Sequence, residues 1–345
     1  MMTYAKKTLQ AHKATNCLTE IMFDEALRIP SVANWGPGVN FDSDTTELIR
    51  DRPLLGVPVS LKDTVDIAGH DTTIGYSCNV DHPVLTSSSI VRLLQDAGAL
   101  VHAKTTVPTA LLSIETVSDV FGRTTNPYNP AHTPGGSTGG GAALLACGGS
   151  KIEIGTDLAG SVRIPAHYCG VWSLKGSTGR FPVWGTVSCM MGLEGVQISA
   201  APMAGSLGDL EAFWKGVVQM KPWVYDHSVS YIIMHPPFDF LIAVLQCIPL
   251  TWQPVDLQAE GRKLKWGVIW DDGMLTIVVK NVLTLLKARY PRPPRVNAPY
   301  CTSSTLLRRK VMKLSICECF DSGVEFRLGW KISAMQFASK HRRSP

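Results

Sequence analysis

The chain has 345 residues, 45 % of them hydrophobic and only 18 % charged, enough for a large core in one α/β domain or two. Its nine cysteines are scattered, with no CxxC and no Cys/His cluster at zinc spacing, which argues against a zinc site and for free thiols in a reducing, cytoplasmic setting. The net charge of +5 is uneven: Met274–Pro345 carries 14 Lys/Arg against 3 Asp/Glu, a local +11 on a remainder of −6.

In chain order, Met1–Thr15 is polar and lysine-bearing, without the apolar run of a secretory signal. Apolar positions at helical spacing predict a helix over Ala11–Leu27. Ile29–Pro53, with GPG at Gly36–Gly38, reads as a loop. The apolar run Val57–Leu61 predicts a buried strand ending at Lys62, where a lysine ordinarily only snorkels from a sheet edge. Thr86–Ser89 caps the helical IVRLLQDA, Gly98 sits at its C′ position, and ALVHAK follows as a strand. Thr125–Pro134, with three prolines, is an extended loop. A small-residue helix around Gly139–Cys147 and strands around Lys151–Thr156 and Val171–Leu174 continue the βα alternation. Helices covering a largely buried sheet follow from that pattern.

Pro134–Pro165 (PGGSTGGGAALLACGGSKIEIGTDLAGSVRIP) sets Ser137 and Ser161 among glycines, which let backbone N–H groups approach a ligand closely. Gly135–Gly139 fits G-x-S-x-G, but a nucleophile elbow needs a strand directly before its serine, and a proline-rich loop stands there. A phosphate-binding loop would need Gly-Lys-Ser/Thr entering the helix, and no lysine is present. Both serines could instead be simple helix caps.

Three separated stretches, GVPVSLKD (Gly56–Asp63), NPYNPAHTPGGSTGGGAALLA (Asn126–Ala146) and GTDLAGSVRIPAHYCGVWSLKGSTGR (Gly155–Arg180), closely resemble the amidase signature family, particularly its fungal acetamidase-like and fatty-acid-amide-hydrolase-like members. The resemblance implies an α/β/α layered fold around a mixed β-sheet, incomplete here on its C-terminal side. It implies hydrolysis of a carboxylic acid amide through an acyl-enzyme, with Ser161 as nucleophile, Ser137 as bridging serine after a cis peptide, and Lys62 as base. The backbone N–H groups of Leu158, Ala159, Gly160 and Ser161 would form the oxyanion hole, braced by Asp157 and Arg163. Thr138 stands where the family usually has another serine. The chemistry is coherent: a serine hydroxyl needs a base, and a buried neutral lysine can serve as one. No cofactor and no metal are expected.

The resemblance runs from about Ala14 to His227 and resumes briefly at KLKWGVIWDDG (Lys263–Gly273). Four segments follow: an N-terminal helical segment and loop (1–49), a signature core (50–227), an insertion (228–262) and a divergent basic segment (263–345). RYPRPPR at Arg289–Arg295 can be neither helix nor central strand, and the two later segments are expected to pack loosely. Tyr231–Trp252 is rejected as a membrane span because it holds Asp239, Pro236, Pro237 and Pro249. The expected partner is a small-molecule amide; no nucleic acid is expected, and a homodimer stays open. The alternative is a catalytically inactive amidase remnant, in one variant with a nucleic-acid-binding basic tail.

Overall fold

The computed structural model describes residues 2–28, 50–190, 193, 195–226, 229–233, 241–245, 247–253 and 331–333. Residues 29–49 of the loop expected at Ile29–Pro53, the KLKWGVIWDDG stretch and RYPRPPR therefore lie outside the described residues, as do nearly all of 263–345.

The first difference from expectation is at the N-terminus. In place of one helix over Ala11–Leu27 there are α1 (Met2–Thr15), β1 (Leu18–Ile21) and a short α2 (Phe23–Leu27). Asn16, at φ +53, turns the chain out of the helix. Leu18–Ile21 then pairs antiparallel with a strand some 85 residues on, and a sheet edge outweighs a weak helical periodicity.

That partner belongs to a core of fully buried strands: β2 (Pro58–Lys62), β3 (Leu100–Thr105), β6 (Ile152–Asp157) and β8 (Ser199–Ala204). A two-residue ribbon, β4 (Val117–Ser118) with β5 (Gly122–Arg123), stands apart. With β7 (Trp172–Lys175) and the short β11 (Lys331–Ser333), the main sheet runs β1-β3-β2-β6-β8-β7-β11. β3, β2 and β6 are parallel and the other pairings antiparallel, so the sheet is mixed. β9 (Val229–Ile233) and β10 (Leu241–Leu245), largely within the stretch rejected as a membrane span, pair antiparallel as a separate two-stranded sheet.

Two helices cover one face. α3 (Ser89–Asp96) starts at Ser88, whose Oγ accepts from the Val91 N–H at 3.3 Å, and it buries Ile90, Val91, Leu93 and Leu94. Gly98, at φ +85, ends it, and a Cβ there would meet Leu55 Cα at 2.9 Å. α6 (Leu207–Gln219) is capped by Ser206 and buries Phe213, Trp214, Val217 and Val218 against Val59, Leu61, Ile152 and Ile154.

The other face carries α1, α4 (Gly139–Ala146) and α5 (Arg163–Cys169), packed through small side chains. α4 opens with three glycines because it lies directly on the sheet. A Cβ at Gly140 would come within 2.6 Å of Cys17 O, and one at Gly141 within 2.3 Å of the Glu153 carboxyl. That close seating carries the residues just before α4 to the C-terminal ends of β2 and β6.

Candidate active site

Lys62, the last residue of β2, has none of its surface exposed. Its Nζ donates to Ser137 Oγ at 2.7 Å, to Thr156 Oγ1 at 3.1 Å and to Thr156 O at 3.3 Å. Burial strips the ammonium of water and lowers its pKa from 10.5 to about 7, while the negative charges of Asp157 and Glu153 pull it back up. The strand-end lysine is therefore anchored inward and does not snorkel.

Ser137 follows a cis peptide bond from Gly136, the conformation that the family resemblance implies at this position. The next residue, Thr138, donates its N–H to Ser161 O at 3.0 Å, which ties the two serine-bearing segments together. Its Oγ1 is buried with no hydrogen-bond partner among the described residues. Ser137 and Ser161 open into one cavity of about 250 Å³ together with Gly136, Thr156, Leu158 and Ala159. Leu111, Leu112, Ile114, Met190 and Ile198 give it an apolar wall.

The turn before α5 is organised by Asp157, which is fully buried at the end of β6. Its carboxylate accepts from the N–H groups of Gly160 (2.9 Å) and Val162 (3.1 Å) and from Arg163 Nε (3.0 Å) and Nη2 (2.9 Å). Burial would raise its pKa, but the hydrogen bonds and charge of Arg163, with the two N–H donors, hold it below the usual carboxylate value. Gly160, at φ +121, directs its N–H to Asp157, which differs from the oxyanion-hole place expected of it: the buried carboxylate takes that donor. Leu158, Ala159 and Ser161 line the cavity.

Every residue singled out in the sequence lies in this one region. Two contributors escaped the sequence reading. Thr156 holds Lys62 by both its hydroxyl and its carbonyl, and its place inside the GTD motif was the available signal. The second is Glu153, fully buried beside the lysine. Among the described residues no group of three His, Cys, Asp or Glu could hold a metal ion.

A mixed sheet between two helical layers, with a buried lysine, two glycine-flanked serines and an apolar cavity at its strand ends, defines a chain of the amidase class. The chain belongs to the amidase family, whose model, described as Amidase, matches residues 1–246. It is 39 % identical over 276 residues to Amidase 2 of Gibberella moniliformis, covering 79 % of this chain and 51 % of that protein. To the acetamidase of Emericella nidulans it is 32 % identical over 267 residues, 77 % of this chain and 44 % of the relative. Among solved structures, a fatty acid amide hydrolase superposes with a TM-score of 0.67 at 29 % identity, over 83 % of this chain and 46 % of that one. The chain spans about half the length of the curated relatives it matches. No helix among the described residues is long and apolar enough to cross a membrane.

Proposed function

We propose that the chain hydrolyses a small carboxylic acid amide through a Ser–Ser–Lys relay and an acyl-enzyme. Neutral Lys62 accepts the Ser137 proton as Ser137 takes the proton of Ser161, and Ser161 Oγ attacks the amide carbon. The oxyanion forms beside the backbone of Leu158, Ala159 and Ser161, where each well-aimed N–H is worth roughly 3–4 kcal/mol in comparable sites. Gly160, its N–H held by Asp157, shapes that turn from behind. The proton then returns through Ser137 to the leaving nitrogen as the C–N bond breaks. Water attacks the resulting ester by the same relay, which releases the acid and restores Ser161.

The observation that carries this reading is the 2.7 Å hydrogen bond from a desolvated lysine to Ser137, itself beside Ser161 in one cavity. Arg163 braces Asp157, and the Thr138 N–H holds the Ser161 carbonyl. A cytoplasmic setting belongs to the same reading. The rival reading is a remnant without turnover. Ammonia release from simple amides by the purified chain, with covalent labelling of Ser161 by a fluorophosphonate, separates the two. Neither release nor labelling from a cooperatively folded chain would establish the remnant.

A further inference from the structure

Glu153, the second residue of β6, has none of its surface exposed, and no cation pairs with it directly among the described residues. Ser60 Oγ donates to its Oε2, and Thr105 Oγ1 donates to its Oε1 at 2.7 Å. Both donors lie on the face of the sheet that carries Lys62. Ser60 precedes Lys62 by two residues and pairs with Glu153, and Thr105 pairs with Lys62 across β3. α4 closes over the carboxyl, where Gly141 has no room for a Cβ. A hydrophobic side chain of similar volume would serve such a layer at no desolvation cost, so packing alone does not account for a carboxyl here.

We propose that Glu153 is a positioning residue for Lys62: its carboxyl, held by Ser60 and Thr105 under α4, sets the proton occupancy of the amine that works through Ser137. This rests on the reading of Lys62 as the base. Burial raises the Glu153 pKa to about 7, against the Ser60 and Thr105 hydrogen bonds and the Lys62 charge, so the two groups exchange charge in one pH range. The other groups around it do not titrate there. Asp157, on the same strand, is kept ionised by Arg163. Burial pushes the Cys17 thiol up to about 12 and raises that of Cys147 at the end of α4. The α4 residues before Cys147 are glycine, alanine and leucine, and β8 places Met203 opposite Glu153. Lys104 belongs to the other face, paired with Asp63.

The test uses the full chain and two readouts. The first is the pH dependence of Ser161 labelling by a fluorophosphonate. Glu153→Gln removes a negative charge near Lys62, so the amine loses its proton at lower pH, and the acidic limb moves down by about one unit. Glu153→Asp keeps the wild-type limb. An unmoved limb in a cooperatively melting Glu153→Gln chain overturns the proposal. The second is isotope-edited infrared titration of the buried glutamate carboxyl in the chain carrying ¹³C-glutamate. Lys62→Met removes the neighbouring cation and moves that titration to higher pH; an unmoved titration overturns the proposal. The infrared readout needs no turnover and no Glu153 variant. Absent labelling of the wild-type chain therefore sinks the amidase reading while leaving the Glu153–Lys62 coupling decided by the infrared result.

Discussion

Lys62 and Ser137, 75 residues apart in the chain, meet at 2.7 Å, the lysine buried behind the cavity that the serine lines. The contact exists because α4, opened by three glycines, lies flat on the sheet and brings the turn before it to the end of β2. Lys62 is thereby held by a central strand and Ser137 by the turn that enters α4.

The first prediction follows directly from that contact. Ser161→Ala abolishes amide hydrolysis and fluorophosphonate labelling, and Lys62→Ala lowers kcat/KM by several orders of magnitude. Ser137→Ala costs less than Ser161→Ala, since water can stand in for a relay but not for a nucleophile. Chelator leaves the rate unchanged, because the relay draws its base from Lys62. Steady-state ammonia release on the four proteins checks each statement. Equal losses for Ser137→Ala and Ser161→Ala would exchange the roles given to the two serines.

Asp157→Ala should unfold the turn that carries Ser161. The substitution strands two N–H donors and a guanidinium whose side chain is only 14 % exposed. Breaking a buried pair on one side typically costs about 3–5 kcal/mol. The pH dependence has a definite sign. The folded carboxyl lies below the ordinary value of 3.8, so its stabilisation is present above that value and is lost as pH falls through the lower folded value. Urea denaturation of wild type and variant at neutral and acid pH measures both effects, and a difference that persists undiminished in strong acid would contradict the assignment.

Stability should also show a shallow minimum near pH 7. Glu153 rises from 4.5 to about 7 on folding, so the native state binds more protons across that range and stability falls as pH rises through it. Lys62 falls from 10.5 to about 7, so the unfolded chain binds more protons above 7 and stability climbs again toward 10.5. In Glu153→Gln the decline between about 4.5 and 7 disappears. Melting temperatures across this range decide it; a maximum near 7 would contradict the pairing.

The cavity wall makes a substrate prediction. Leu111, Leu112, Ile114, Met190 and Ile198 favour amides with an apolar acyl group over acetamide itself. Each buried methylene is worth about 0.8 kcal/mol, roughly a factor of four in kcat/KM while the cavity still has room. A homologous series of straight-chain primary amides tests this, and a flat or falling series from two carbons upward would show that the wall does not face the acyl group.

The sequence by itself determined the three parallel strands, the α3 caps and the existence of the glycine-rich helix, and its family resemblance singled out Lys62, Ser137 and Ser161. Buried parallel strands read as unbroken apolar runs, and Ser-capped, Gly-ended helices carry their limits in adjacent residues. Asp157 and Arg163 were named through the same resemblance, and the structure joins them across one turn. Two other features depended on contacts made far along the chain. Ala11–Leu27 has a helical pattern throughout, yet Leu18–Ile21 is a strand because β3 offers it an open edge. Glu153 stands in KIEI, an alternation that sets it on the strand face opposite to Ile152 and Ile154. Only the folding of α4 onto that face, possible because Gly141 has no side chain, buries the carboxyl beside Lys62. Periodicity reports which residues share a face; what covers the face is decided by packing between segments that the chain brings together last.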